Sequence, residues 1–419
     1  MAKIVAGIAL ASVSALILAG CSSTPAETPE KPDATDDKPV AIDLDVTLGS
    51  LLPQTGSLAF LGPPMEAAVG LATEEINAAD AGITVTMMSE DEGDSDTKAY
   101  ETSVTKLQNA GVAGMVGAAA SGVSKIILDG NVSKGIITIS PSNTSPDFTE
   151  LSEQGVTQGL YFRTAPSDLL QGEVLGNLMA EDGRKTLGVI YQNDPYGTGL
   201  FDAIKTTFEA AGGEVVADAS FNVGDAQFDA QVETIKAANP DAVAVVSFDQ
   251  FKTIAPLLVN AGIKGDQFYM VDGNVSQYGD EMPVSLEGAQ GTKPGPALED
   301  DFTDRLQAYW TGLGNSEVKD FTYAAESYDA VILMALAAMA ANSTEGTDIA
   351  AKMQEVSGGS GDGTPCTSFA DCAQIIVDGG TADYNGYSGD VTFNEHGDPN
   401  GAAIGLFKYG ADNMYERVG

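Results

Sequence analysis

One histidine in 419 residues leaves almost no imidazole chemistry, so a Ser–His–Asp hydrolase would have to recruit His396, which sits in a predicted turn. Basic residues are scarce too: 20 Lys and Arg stand against 60 Asp and Glu, a formal charge of −40. Nucleic acid and anionic lipid surfaces are therefore poor partners, and the acids read first as solubility. No G-x-x-x-x-G-K-[ST] or G-x-G-x-x-G follows a predicted strand, so no nucleotide site is implied. The G-x-S-x-G elbow of an α/β-hydrolase is missing as well. No cofactor and no metal are expected. Only three cysteines occur, an odd number that asks for an explanation.

Part of that explanation lies in the first residues. Lys3 precedes an apolar stretch, Ile4–Leu18, which ends in Leu18-Ala19-Gly20-Cys21. A spanning helix needs roughly 20 apolar residues, and this run is shorter with a cleavage-type end. Residues 1–20 are thus expected to be a lipoprotein signal peptide, with Cys21 as the lipidated amino terminus. Residues 21–43, rich in Ser, Thr, Pro, Glu, Asp and Lys, read as a disordered tether. The remaining pair, Cys366 and Cys372, favours a disulfide in an extracytoplasmic chain, since two thiolates alone make an incomplete zinc site.

The rest is long and hydrophobic enough for a large core, and its length suggests two lobes. Val46–Leu52 reads as a strand, followed by a helix from Pro63-Pro64 to Asn77 with Met65, Val69, Ala72 and Ile76 at helical spacing. Ile83–Met88 is the next strand. The acidic run 89–96 invites a metal reading, but its spacing fits no calcium loop, and Asp94 and Ser95 suit helix caps for Thr97–Asn109. Strand Val112–Val116, a helix from Val123 with Ile126 and Ile127 on its apolar side, and strand Ile136–Ile139 complete this half. After Arg163 the alternation restarts with strands Leu187–Tyr191, Val215–Ala217, Ala242–Ser247 and Gln267–Val271 and helices Tyr196–Ala211, Phe228–Ala238 and Lys252–Ala261. Two α/β halves, each a doubly wound parallel sheet, place their strand-end loops around a cleft. Helices Pro296–Thr311 and Tyr323–Ala341 follow, and the second is apolar enough to be buried. The end reads as a hairpin of Val391–Asn400 with Ala402–Tyr409.

The candidate site sits at strand ends. Ser121 and Gly122 open a helix, and Ser142, Asn143 and Thr144 follow a strand, so hydroxyls and backbone N–H groups could hold a carboxylate without a cationic side chain. Asp272, at a strand end of the other half, could take an ammonium group, with Leu61, Tyr196 and Phe248 as walls. Each hydroxyl could equally serve a turn, Asp272 could be a loop carboxylate, and Tyr196 could be core.

From Val46 onward the chain resembles the leucine/isoleucine/valine-binding family of type I substrate-binding proteins of ABC transporters. The resemblance is carried by Thr55-Gly56-Ser57-Leu58-Ala59-Phe60-Leu61-Gly62, Glu74-Glu75-Ile76-Asn77-Ala78-Ala79 and Asp91-Glu92-Gly93-Asp94. It continues in Val116-Gly117, Ser140-Pro141, Asp194-Pro195-Tyr196-Gly197, Tyr328-Asp329-Ala330 and Gly397-Asp398. It implies lobes joined by three crossovers, closure on a ligand, and delivery to a membrane permease. Residue by residue it implies that Ser121 binds the ligand carboxylate, that Ser142 and Thr144 hold the amino group and carboxylate, that Tyr196 and Phe248 face the cleft, and that Asp272 stands where an acidic residue, often glutamate, pairs with the ammonium. Lobe 1 is then expected over 44–164 and 296–385, and lobe 2 over 165–295 and 386–419. The expectation is a monomeric, non-enzymatic lipoprotein on the outer face of the cell membrane, binding a branched-chain or other neutral amino acid for an ABC importer. Two rivals are a sensor of the same fold for amides, urea or aromatic acids, and an extracellular hydrolase using Asp272 and Asp168.

Overall fold

The computed structural model describes residues 42–419. The expected signal segment, Cys21 and nearly all of the tether lie outside the described residues. The first sheet contains β1 (Leu44–Leu52), β2 (Ile83–Asp91), β3 (Gly114–Gly117), β4 (Ile137–Ser140) and β5 (Tyr161–Arg163). Its order is β2-β1-β3-β4-β5, and every pairing is parallel. Helices on its faces explain why β3 and β4 are buried throughout and β1 is buried from Leu48 onward. Helix Gly62–Ala78 starts on two prolines and buries Met65, Val69, Ala72 and Ile76, the residues its periodicity marks.

The second sheet begins with β6 (Thr186–Gln192), β7 (Glu214–Phe221), β8 (Ala242–Val246), β9 (Phe268–Met270) and β10 (Gln290–Pro294). A small parallel pair, β11 (Thr364–Cys366) and β12 (Ala382–Tyr384), stands apart, and Cys366 is joined to Cys372 beside it. Finally β13 (Ile404–Tyr409) and β14 (Tyr415–Arg417) return to the second sheet, in the order β14-β13-β10-β9-β8-β6-β7. The chain passes between sheets three times, after β5, after β10 and before β13. The architecture is α/β with two sheets and three passages of the chain between them, as the sequence leads one to expect.

Helix Ala324–Ala341 is long and apolar enough to cross a membrane, yet 89% of it is buried, as the central helix against the first sheet. Within it Asp329 accepts from Tyr384 Oη and from the backbone and hydroxyl of Ser388, pinning the start of the third crossover.

Three expectations change. Ile126 is 54% exposed, because helix Ser121–Ser133 turns Val123, Ile127 and Leu128 inward and position 126 points about a quarter-turn away. The terminal hairpin is β13 with β14, while β13 runs antiparallel to β10; residues 393 and 399 form only an isolated bridge. Residues 386–400, expected in the second lobe, pack on the first: Phe393 meets Phe162 at 5.1 Å, and Asp398 pairs with Arg163. A fully buried guanidinium needs a counter-charge, and this segment supplies it.

Candidate binding cleft

In a parallel sheet, the loops leaving the carboxyl ends of the strands converge. The loop after β3 leads through Ala118–Ala120 into helix Ser121–Ser133. Glu92, at the end of β2, shapes it: its two carboxyl oxygens accept from the N–H groups of Ala119 and Ala120, both at 2.7 Å. Burial pushes this carboxyl up to about 8 against those two bonds. With these two N–H groups taken, the first-turn N–H groups of the helix face the cleft with no intrahelical acceptor. Ser121 is buried, and its hydroxyl takes no partner among the described residues. A Cβ at Gly122 would lie 3.4 Å from Asp194 Oδ2, so this residue sits directly against the opposite lobe.

The loop after β4 is held from beneath. Ser140 donates to Ala118 O at 2.6 Å and accepts from Asn143 N, linking the two loops. Arg163 donates through Nη1 to the carbonyls of Asn143 and Ser145, through Nη2 to Thr149, and through Nε to Asp398 Oδ1 at 2.6 Å. Asn143 spends its amide on Tyr161 Oη, and Thr144 donates to Asp168 Oδ2 at 2.9 Å. Both Asn143 and Thr144 are therefore turned into the scaffold. Ser142 stays at the surface of the cleft, its hydroxyl 3.4 Å from Ala119 O.

From the second lobe, Asp272 follows β9 and Tyr196 opens helix Pro195–Ala210, whose cap Asp194 accepts from Gly197 N. Asp272 Oδ1 accepts from Tyr196 Oη at 2.8 Å and Gln171 Nε2 at 3.0 Å; Oδ2 accepts from Tyr323 Oη at 2.5 Å. A side chain at Gly273 would meet Ser247 O at 2.8 Å and Tyr196 Oη at 3.0 Å, so only glycine lets this strand end approach its neighbours. Tyr196 stacks on Phe248, with ring centres 5.3 Å apart.

Asp168 lies near Asp272, and burial together with the charge on Asp272 drives its pKa well up. Burial also raises Asp272, but Tyr323, Tyr196, Gln171 and the backbone N–H of Gly273 oppose the shift. Of the two, Asp168 is the one pushed further toward its protonated form, and its Oδ1 has no partner among the described residues.

Leu61, Ser121, Ser142, Tyr196, Phe248 and Asp272 line one cavity, together with Leu58, Ala119, Ala120, Gly273 and Tyr323. Gly122, Asn143 and Thr144 do not line it. The cavity volume in this arrangement of the lobes is only about 10 Å³. A ligand larger than water enters only when the lobes part. Sequence reasoning missed Glu92, Arg163, Gln171 and Tyr323. Glu92 lies within the Asp91–Asp94 motif, Tyr323 opens the expected helix Tyr323–Ala341, and Arg163 stands at a strand end; nothing local marks Gln171.

A family model described as "Periplasmic binding protein" matches residues 45–377. "Leu/Ile/Val-binding protein homolog 1" of Brucella suis is 28% identical over 387 residues, covering 89% of this chain and 93% of the relative. The "Chemotactic signal transduction system substrate-binding protein BasB" of Halobacterium salinarum is 26% identical, covering 83% of each. Among solved structures, the branched-chain amino acid transporter substrate-binding protein LivJ of Streptococcus pneumoniae, in complex with isoleucine, superposes with a TM-score of 0.69 at 20% identity, covering 89% of this chain and 99% of that one.

Proposed function

The chain belongs to the periplasmic binding protein family, and on that premise we propose that it captures a branched-chain or other neutral amino acid outside the cytoplasm and hands it to an ABC permease. It is a substrate-binding protein and not an enzyme. The supporting observation is the pairing across one cavity of Asp272, a buried carboxylate, with the Ser121 hydroxyl at a helix N-terminus. In this reading Asp272 takes the ligand ammonium, and Ser121, through its hydroxyl and its N–H at the start of the helix, takes the carboxylate, with Gly122 behind it allowing the close approach of the opposite lobe. In the same reading Ser142 contributes a further polar contact, Leu61, Tyr196 and Phe248 enclose the side chain, and Asn143 and Thr144 act one step back, by fixing the loop. The names of the Brucella and Streptococcus relatives favour a branched aliphatic ligand.

A thermal-shift screen of the purified protein tests the reading. Leucine, isoleucine or valine at 100 times its dissociation constant adds about 2.7 kcal/mol of stability and raises the melting temperature. Stabilisation by urea, amides or aromatic acids, with none by amino acids, would overturn the ligand class. The chemotactic relative from Halobacterium favours a second reading, a sensor of the same fold; uptake of the ligand that survives deletion of the gene would select it. We also propose membrane tethering through a lipid on Cys21. Cells fed radiolabelled palmitate should label the protein, and Cys21→Ala should remove the label; label that persists in the variant would refute the anchor.

A further inference from the structure

A larger cavity, about 270 Å³, lies at the second crossover between the lobes. Its walls come from three places: residues 293–298 leaving β10, residues 319–326 leading into the central helix, and Phe407, Tyr415 and Arg417 on β13 and β14. Gly295, at φ +100°, turns the chain there, and a Cβ would stand 2.8 Å from Glu326 Oε1.

The charges gathered here run against the rest of the molecule. In a chain with a formal charge of −40, Lys293, Lys319 and Arg417 line a single cavity. Lys293 is buried at its floor, held by Asp320 at 3.2 Å, Thr322 at 2.9 Å and Tyr415, with its ammonium 4.7 Å from the Phe407 ring centre. Lys319 and Arg417 are exposed at the rim; Arg417 donates to main-chain oxygens of Gly295 and Gly419 and lies over the Phe407 ring, and neither cation pairs with a carboxylate side chain among the described residues. Opposite them is Glu326, 3% exposed, whose carboxyl accepts from or donates to no other side chain among the described residues. Burial pushes Glu326 up to about 8, so at neutral pH it is a proton-bearing donor rather than a charge. Against Asp320 alone as a counter-charge, the cavity is left net positive. Pro296, Leu298, Phe321 and Phe407 give it apolar surface.

Tyr323 lines this cavity and the cleft as well, and its hydroxyl holds Asp272. We propose that the hinge cavity is a second ligand site, for a small aliphatic monocarboxylate, and that its occupancy strengthens ligand capture in the cleft through Tyr323. The carboxylate faces Lys319, Arg417 and the Glu326 carboxyl, and the aliphatic part packs on Leu298 and Phe321. Because the walls belong to both lobes and the crossover joining them, an occupant favours the arrangement of lobes in which this cavity and the Tyr323–Asp272 bond coexist. The coupling rests on the amino-acid reading of the cleft; the site itself does not.

The test titrates sodium isobutyrate into the purified protein by calorimetry, with chloride and phosphate at matched ionic strength as controls. Wild type and Asp272→Ala should both bind isobutyrate saturably, and the exposed-rim double variant Lys319→Ala/Arg417→Ala should bind it about tenfold more weakly. Without isobutyrate, the double variant should bind the cleft ligand as wild type does; with saturating isobutyrate, only wild type should gain about fivefold in affinity. No saturable isobutyrate binding, or binding unchanged in the double variant, would overturn the site. Isobutyrate binding lost in Asp272→Ala would reassign it to the cleft, and equal binding of chloride or phosphate would overturn the organic class. A site that behaves as expected while leucine affinity stays constant would overturn the coupling alone. Failure of every amino acid to bind would count against the cleft reading and leave the isobutyrate result standing.

Discussion

Asp272→Ala should weaken amino-acid binding by about 3 kcal/mol or more, roughly a hundredfold, in calorimetry, while the protein stays folded. The ammonium of a zwitterion entering a water-poor cavity must recover its lost hydration from a charge-assisted contact, and Asp272 is the carboxylate that lines this cavity. Asp272→Asn keeps the shape and most of the hydrogen-bonding positions but removes the charge, so it should bind nearly as poorly as alanine. Full affinity in the asparagine variant would show that hydrogen bonding suffices and would remove the ammonium from the scheme. Folding should survive: Tyr196, Tyr323 and Gln171 lose an acceptor, and that cost is offset in part because the nearby Asp168 loses a repulsive neighbour.

The same pair sets a pH dependence whose sign follows from linkage. Burial raises both Asp168 and Asp272 in the folded state, and the charge on Asp272 raises Asp168 further. A carboxyl raised on folding retains a proton that the unfolded chain releases, so stability is fullest below the unfolded pKa and declines as pH rises toward the folded value. Removing Asp272 lowers the pKa of Asp168 and should flatten this decline above about pH 4. Melting temperatures of wild type and Asp272→Ala measured from pH 4 to 8 should therefore converge as pH rises, or cross.

Much of this arrangement was readable from local pattern. Met65, Val69, Ala72 and Ile76 mark a helix because their spacing is physical, and Ile136–Ile139 marks a buried strand for the same reason. Small residues at strand ends located Ser121, Ser142 and Asp272 because parallel sheets put their ligand loops there. What sequence could not reveal were the partners that make those loops rigid. Arg163 and Asp398 are 235 positions apart, and Tyr323 reaches Asp272 across 51. Thr144 looked like a ligand hydroxyl until the fold set Asp168 beside it. Periodicity reports which face of an element is buried; it carries nothing about which distant charge will be buried with it. Residues 386–400 were misassigned for that reason, since their attachment is decided by Arg163 rather than by any pattern of their own.

That ion pair predicts the largest loss of stability in the molecule. Arg163 is 0% exposed and makes its bonds to one carboxylate, two loop carbonyls and one hydroxyl. Arg163→Met fills much of the volume but strands the Asp398 carboxylate and leaves the carbonyls of Asn143 and Ser145 without this donor. Breaking one side of a buried pair costs about 3–5 kcal/mol, against a total stability of about 5–15 kcal/mol for a typical protein. The denaturant midpoint should fall sharply. Ligand affinity should fall with it, because the loop carrying Ser142 loses its support from below. Asp398→Asn alone should also be costly, since it leaves the fully buried guanidinium its loop carbonyls and an amide oxygen but no counter-charge. Combining the two substitutions should cost clearly less than their sum, because the charge stranded by the first is no longer there to be stranded. Strict additivity in that cycle would mean that Arg163 and Asp398 act independently, and the third crossover would then need another anchor, for which Asp329 and its bonds to Tyr384 and Ser388 are the structure's next provision.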